Sequence, residues 1–317
     1  MRGSMRGGRP PDATTGVPDR PPSATTVTAD ATASAPTQGF DALLPPQMAE
    51  RAETIGVRKA GQDTLTMFTL GVLAGAFIAL GAIFSVTVSA GSSELPVGVA
   101  RLLAGLAFSL GLILVVVAGA ELFTGNVLLV MAWASRRVRT GSLLRNWTIV
   151  YIGNFVGALG TVALVLASGW FELSDGSIGT ALLATADAKA SKPFLEVLTA
   201  GILCNALVCL AVWMAYSARS TTDRILAIVP PITAFVAAGF EHSVANMFYL
   251  PAAMAVLAVA PPDFWAETGT TAATYAAVDM DGFIGNLVPA TIGNIIGGAV
   301  LVGAVYWVAY LRTSNRA

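Results

Sequence analysis

Charge is scarce in this chain. Asp, Glu, Lys and Arg make up 12% of its 317 residues, whereas 55% are hydrophobic. So little polar surface excludes a soluble globular fold and fits an integral membrane protein. Histidine and cysteine are scarcer still: His242 is the single histidine, and Cys204 and Cys209 are the only cysteines. One imidazole cannot hold a metal alone, and no His/Cys/Asp set has ligand spacing, so no metal or other cofactor is expected. The two cysteines point in different directions on one helix and read as core packing. A phosphate loop, a dinucleotide fingerprint and a nucleophile elbow are all missing, which argues against a primary pump and against an enzyme. No apolar stretch precedes residue 64, so no secretory leader is expected. Nor is a nucleic-acid partner.

What the chain does have is long apolar runs. Six are almost free of charge: 64–93, 102–135, 146–171, 197–218, 225–262 and 283–311. Roughly 20 apolar residues cross a bilayer core, so these predict six spans. The second and fifth runs are too long for one straight span, and the economical reading breaks each mid-membrane with a short loop. Arg136, Arg137, Arg139 and Arg145 follow the second span, Arg219 and Arg224 the fourth, and Arg312 and Arg316 the sixth. The segment after the fifth span is acidic, with Asp263, Glu267, Asp279 and Asp281. The positive-inside rule then puts both termini in the cytoplasm. Residues 1–37 are rich in Pro, Thr, Ala and Ser and read as a disordered cytoplasmic tail. Residues 38–63 read as an amphipathic helix on the cytoplasmic face. A six-span domain over 64–312 and a short cytoplasmic tail, 313–317, complete the organisation.

The two over-long runs carry one repeated pattern. Gly119-Ala120-Glu121-Leu122-Phe123-Thr124-Gly125-Asn126 and Gly239-Phe240-Glu241-His242-Ser243-Val244-Ala245-Asn246 share glycine, glutamate and asparagine in register. Gly153-Asn154-Phe155-Val156-Gly157 resembles Gly293-Asn294-Ile295-Ile296-Gly297, and Ala74-Gly75 resembles Ala200-Gly201. Three matches in the same order predict an inverted three-plus-three repeat with the working site between the halves. Gly71, Gly75, Gly157, Gly160, Gly297 and Gly298 would let helix backbones approach closely.

An acidic residue inside an apolar run costs about 2.5–3.5 kcal/mol on insertion scales and faces a cavity or a partner. Glu121 and Glu241 have two readings: they lock the broken helices by accepting loop hydrogen bonds, or they touch the solute. Half-helix N-termini suit a small anion. A bare carboxylate would repel that anion, which favours the structural reading, shared by Asn126 and Asn246. His242 adjoins a buried Glu in a helix break. Imidazole changes charge near neutral pH and donates or accepts hydrogen bonds, so a pathway role is expected. The Thr124 hydroxyl lies in the opposing loop and either caps a half-helix or binds a passing solute.

These segments, with Gly201-Ile202-Leu203-Cys204-Asn205, Asn286-Leu287-Val288-Pro289 and Thr291-Ile292-Gly293-Asn294-Ile295-Ile296-Gly297-Gly298, resemble the formate/nitrite transporter family over about residues 38–312. One departure is Glu121-Leu122-Phe123-Thr124-Gly125-Asn126, where enteric formate channels usually read Asp-Leu-Phe-Thr-Ser. The resemblance implies an aquaporin-like homopentamer of the inner membrane with one pore per protomer. It implies apolar constrictions at Phe108, Leu112, Leu122 and Phe235, and His242 and Thr124 at the pore centre. It also implies a vestibule cation at Lys189 and a pore-lining amide at Asn205. The implied cargo is formate or a similar small monovalent weak-acid anion, moving with protons or past a hydrogen-bonding His242. Nitrite or hydrosulfide, and an aquaporin-type neutral solute, are the alternatives.

Overall fold

Asp63 begins the bundle by accepting a hydrogen bond from the Thr66 amide at 3.0 Å, which caps the first long apolar helix. The computed structural model describes residues 42–312, and every regular element among them is helical. Helix α1 is Pro45–Ala60, α2 Thr64–Ser89, α3 Val97–Ala118, α4 Phe123–Ala134 and α5 Thr140–Ala167. The second half follows as α6 Ser177–Ala190, α7 Phe194–Ser217, α8 Thr221–Ala237, α9 Ser243–Val259, α10 Pro262–Thr268 and α11 Met280–Ile296. Beyond Ile296 the last span runs on as π-helical turns, Gly297–Ala304 and Trp307–Leu311.

The result is an all-α membrane bundle of six spans in two inverted three-span halves. In the first half α2 packs against α3 and α5; in the second α7 packs against α8 and α11. The halves meet where α3 lies on α8 and α5 on α9. Glycine makes the closest approach possible: a Cβ on Gly157 would run into the Val72 carbonyl, and one on Gly297 into the Ile202 carbonyl. Gly160 faces open space instead.

The second and fifth spans are broken, over 119–122 and 238–242. Gly119 (φ 86°) and Gly239 (φ 73°) turn the chain in the left-handed region, where a side chain would strain it. The Glu121 amide donates to the Leu70 carbonyl at 3.1 Å and the Glu241 amide to the Ala200 carbonyl at 3.5 Å. Leu70 and Ala200 each lie about 9 Å along their helices from the start, at 1.5 Å per residue. Because the halves are inverted, the two breaks enter from opposite faces, and α4 and α9 point their N-termini towards each other.

Those two bonds also correct the register of the repeat. Leu70-Gly71, not Ala74-Gly75, is the counterpart of Ala200-Gly201, and Gly75 stands where the second half has Asn205. The short small-residue match is degenerate in a chain with 32 glycines, and the hydrogen bonds select the right copy.

One further expectation changes. The fifth run ends at Val259 rather than 262, because α10 starts at Pro262 with its axis bent 110° from α9. Outside the six predicted spans, the stretch between the third and fourth contains a further helix, α6, whose Ile178, Leu182, Leu183 and Ala186 are buried. Of the amphipathic segment 38–63 the described residues begin at 42, and the helix among them that precedes the first span is Pro45–Ala60. Its Met48, Ala49 and Ala52 pack on Met131, Trp213 and Leu311 of the bundle, and Arg137 donates to Glu53 at 2.8 Å. The expected tails 1–37 and 313–317 lie outside the described residues.

Candidate functional site

Two asparagines tie the breaks shut. Asn154 on α5 accepts from the Phe123 amide at 2.9 Å and donates to the carbonyls of Gly71 and Glu121 at 2.8 and 2.9 Å. Asn294 on α11 repeats this: it accepts from the Ser243 amide at 2.9 Å and donates to Gly201 and Glu241 at 2.8 and 2.9 Å. Each amide thus satisfies backbone groups that a broken membrane helix would otherwise leave exposed.

The glutamates are tied into matching networks. Glu121 accepts from Lys59 at 3.0 Å and from Asn126 at 2.7 Å, with Gln62 at 3.5 Å. Asn126 also donates to Asn146 at 2.9 Å, and Asn146 donates to the Lys59 carbonyl at 3.2 Å. In the second half Glu241 accepts from Lys189 at 2.9 Å, Lys192 at 2.6 Å and Asn246 at 2.8 Å. Asn246 donates to Asn286 at 2.6 Å, and Asn286 to the Lys189 carbonyl at 3.0 Å. Lys59 and Lys189 lie in the last turns of α1 and α6, so those two short helices are counterparts as well.

Where the breaks meet, the symmetry fails. His242 stands opposite Leu122 in the repeat, and Thr124 opposite Val244. The His242 Nδ1 accepts from the Ala245 amide at 3.0 Å and so caps α9. A backbone N–H only donates, so Nδ1 is the bare nitrogen and Nε2 carries the proton of the neutral ring. Nε2 lies 3.0 Å from Thr124 Oγ1, which therefore accepts. The Thr124 O–H has no acceptor among the described residues. Behind it, the Thr124 carbonyl accepts from Asn205 at 3.1 Å and from the Cys209 thiol at 3.4 Å.

Two cavities approach this pair, and they share no lining residue. One, of about 470 Å³, is lined by Phe108, Phe235, His242, Lys189 and Arg101. The other, of about 290 Å³, lies beside α1 and is lined by Leu112, Leu122, Lys59 and Arg58. Phe108 meets Phe235 edge-on at 5.7 Å, and Phe235 stacks on His242 at 5.8 Å and 17°. Thr124 lines neither cavity and is fully buried. Phe108 and Phe235 thus line the cavity that His242 also lines, and Leu112 and Leu122 line the other.

The structure therefore brings together His242, Thr124, Phe108, Phe235, Leu112 and Leu122. Two further expected site residues are engaged with the scaffold. Lys189 lines its cavity but is committed to Glu241, and its ammonium lies 5.5 Å over the Tyr249 ring. Asn205 lines neither cavity; its amide bridges the Thr124 and Asn294 carbonyls, at 3.1 and 2.6 Å. Lys59, Gln62, Lys192, Asn146 and Asn286 were missed. A signal existed: Asn146 precedes Asn154 by the same spacing that separates Asn286 from Asn294, and Lys59/Gln62 has the spacing of Lys189/Lys192.

Comparison with known proteins gives one consistent result. The family profile described as formate/nitrite transporter matches residues 46–308. The formate channel FocA of Escherichia coli (strain K12) is 48% identical over 277 residues, covering 87% of this chain and 97% of that protein. The formate channel FocA of Haemophilus influenzae is 42% identical over 263 residues, covering 83% and 93%. A solved pentameric formate channel with formate bound superposes with a TM-score of 0.75 at 45% identity, covering 78% of this chain and 98% of that one.

Proposed function

The chain belongs to the formate/nitrite transporter family, and from that premise we propose that it is a formate channel, a homopentamer of the inner membrane with one pore in each protomer. Both termini would face the cytoplasm, in keeping with the arginines at 136, 137, 139 and 145. The observation that carries the reading is the His242–Thr124 pair between two cavities that share no lining residue.

An anion crossing the Phe108/Phe235 and Leu112/Leu122 collars loses its hydration. A carboxylate at the centre recovers two donors: the His242 Nε2–H, released from Thr124, and the Thr124 O–H, which has no acceptor of its own among the described residues. Both are neutral, so the site favours a small monovalent anion over a divalent one. Of the two roles open to His242, hydrogen-bond donor is favoured over proton relay. An imidazolium would carry a proton on Nδ1, facing the Ala245 N–H, and the cap on α9 would be lost. Acid therefore acts on the pathway by loosening the 238–242 loop, which makes conduction pH-dependent.

The test is anion flux into proteoliposomes with internal pH followed at the same time, comparing formate with nitrite. Saturable formate flux, with a pH profile that His242→Asn flattens, is expected. Faster nitrite than formate flux would move the protein to a nitrite role. Water or glycerol passage without any anion flux would overturn the reading.

A further inference from the structure

Each cavity is lined by more than one cation, and they are not equivalent. Around the His242 cavity stand Arg101, Lys189 and Lys192. Both lysines are bound to Glu241, at 2.9 and 2.6 Å. Around the α1 cavity stand Arg58 and Lys59, and Lys59 is bound to Glu121 and Asn126. The lysines therefore serve the scaffold of the breaks: Lys59 donates to Glu121 and Asn126, Lys189 to Glu241, and Lys192 to Glu241 and the Gly239 carbonyl, each with a carboxylate oxygen within 3.0 Å. What remains is one guanidinium at each mouth. Arg101 and Arg58 are exposed, and neither makes a hydrogen bond or ion pair through its side chain among the described residues.

We propose that Arg101 and Arg58 are the anion-capturing residues of the two mouths, each an uncommitted guanidinium that concentrates a small carboxylate in the cavity leading to the His242–Thr124 pair. The inference rests on the formate-channel reading. A guanidinium matches a carboxylate in two-point geometry and stays charged at every physiological pH. At the mouth of a low-dielectric basin its field raises the local anion concentration. The two sides differ in strength. Arg101 shares its basin with two lysines and one carboxylate, whereas Arg58 shares its basin with one lysine and one carboxylate. The His242 side is thus the more attractive to an anion, and Arg101 stands in the same cavity as His242 itself.

The experiment measures initial formate uptake against concentration in spheroplasts and in inverted membrane vesicles, from cells lacking other formate transporters, using the full chain. Arg101→Gln should raise the half-saturating concentration in spheroplasts about three- to tenfold at low salt, with the maximal rate kept. High salt should erase the difference, because exposed charges are screened within about 10 Å at 0.1 M. Arg101→Lys should restore most of the affinity, and Arg58→Gln should act on inverted vesicles alone. The two effects exchanged between preparations would keep the inference and reverse the orientation. Half-saturation unchanged in Arg101→Gln at low salt, while the unaltered chain carries formate, would overturn it. No formate uptake by the unaltered chain would instead overturn the formate reading.

Discussion

The two breaks are built from the same parts and carry different chemistry. Glu121, Asn126, Asn146 and Asn154 in one half do what Glu241, Asn246, Asn286 and Asn294 do in the other, with hydrogen-bond lengths that agree within 0.3 Å or better. The central residues do not repeat: Leu122 faces His242 in the alignment of the halves, and Val244 faces Thr124. The scaffold needs symmetry because each broken helix poses the same problem, unpaired backbone in a membrane. The pathway needs asymmetry because an imidazole and a hydroxyl, each able to donate to an anion, must meet. Duplication supplies the first, and local substitution supplies the second.

The comparison breaks most severely at the glutamates. Glu241 is fully buried between two lysines, whereas Glu121 has one lysine and a distant Gln62. Glu241→Gln should therefore destabilise the protein by about 3–5 kcal/mol, the cost of leaving a buried pair half-made. Glu121→Gln should cost about 1–3 kcal/mol, nearer that of a lost hydrogen-bond partner. Thermal unfolding in detergent measures both, and equal losses would contradict the difference in pairing.

Asn154→Leu and Asn294→Leu come next. Each leaves backbone groups unsatisfied, at about 1–3 kcal/mol per site, and the two should agree within about 1 kcal/mol because their partners correspond. A large disparity in the same unfolding assay would show that the halves are not energetically alike.

His242→Leu makes the centre symmetrical with Leu122. Formate flux should fall by at least about tenfold, the kinetic equivalent of about 1.4 kcal/mol, and the unfolding temperature should fall modestly, since the lost α9 cap costs about 0.5–2 kcal/mol. Thr124→Val, which copies Val244, removes the hydroxyl but keeps the shape. Flux should fall by only about two- to fivefold, since His242 Nε2–H remains as donor. A greater loss for Thr124→Val than for His242→Leu would reverse the assigned order.

Much of this was legible in the sequence, for identifiable reasons. The buried glutamates and asparagines of the two breaks stand out because polar groups are rare in apolar runs. Asn154 and Asn294 stand out because glycines flank them in both copies. The register of the first-span match was misread because Gly71 and Gly75 offer the same small side chain four residues apart, and only a backbone partner distinguishes them. Helix α6 was hidden because its polar side carries Asp187 and Lys189, which look like a loop to hydropathy. Lys59–Glu121 and Lys189–Glu241 were hidden because the partners lie 62 and 52 residues apart, and the repeated Lys59/Gln62 and Lys189/Lys192 spacing shows which residues correspond but not what they bind. The placement of Asn205 away from both cavities depends on which carbonyls its amide meets, and that is a property of packing alone.

Because His242 is the only histidine, the account's central claim has a direct spectroscopic test. Protein labelled with ¹⁵N-histidine and freed of any affinity tag would give one pair of ring signals in a membrane sample at neutral pH. The prediction is a bare, hydrogen-bond-accepting Nδ1 and a protonated Nε2. A protonated Nδ1, as either the other tautomer or the imidazolium, would contradict the neutral-donor site.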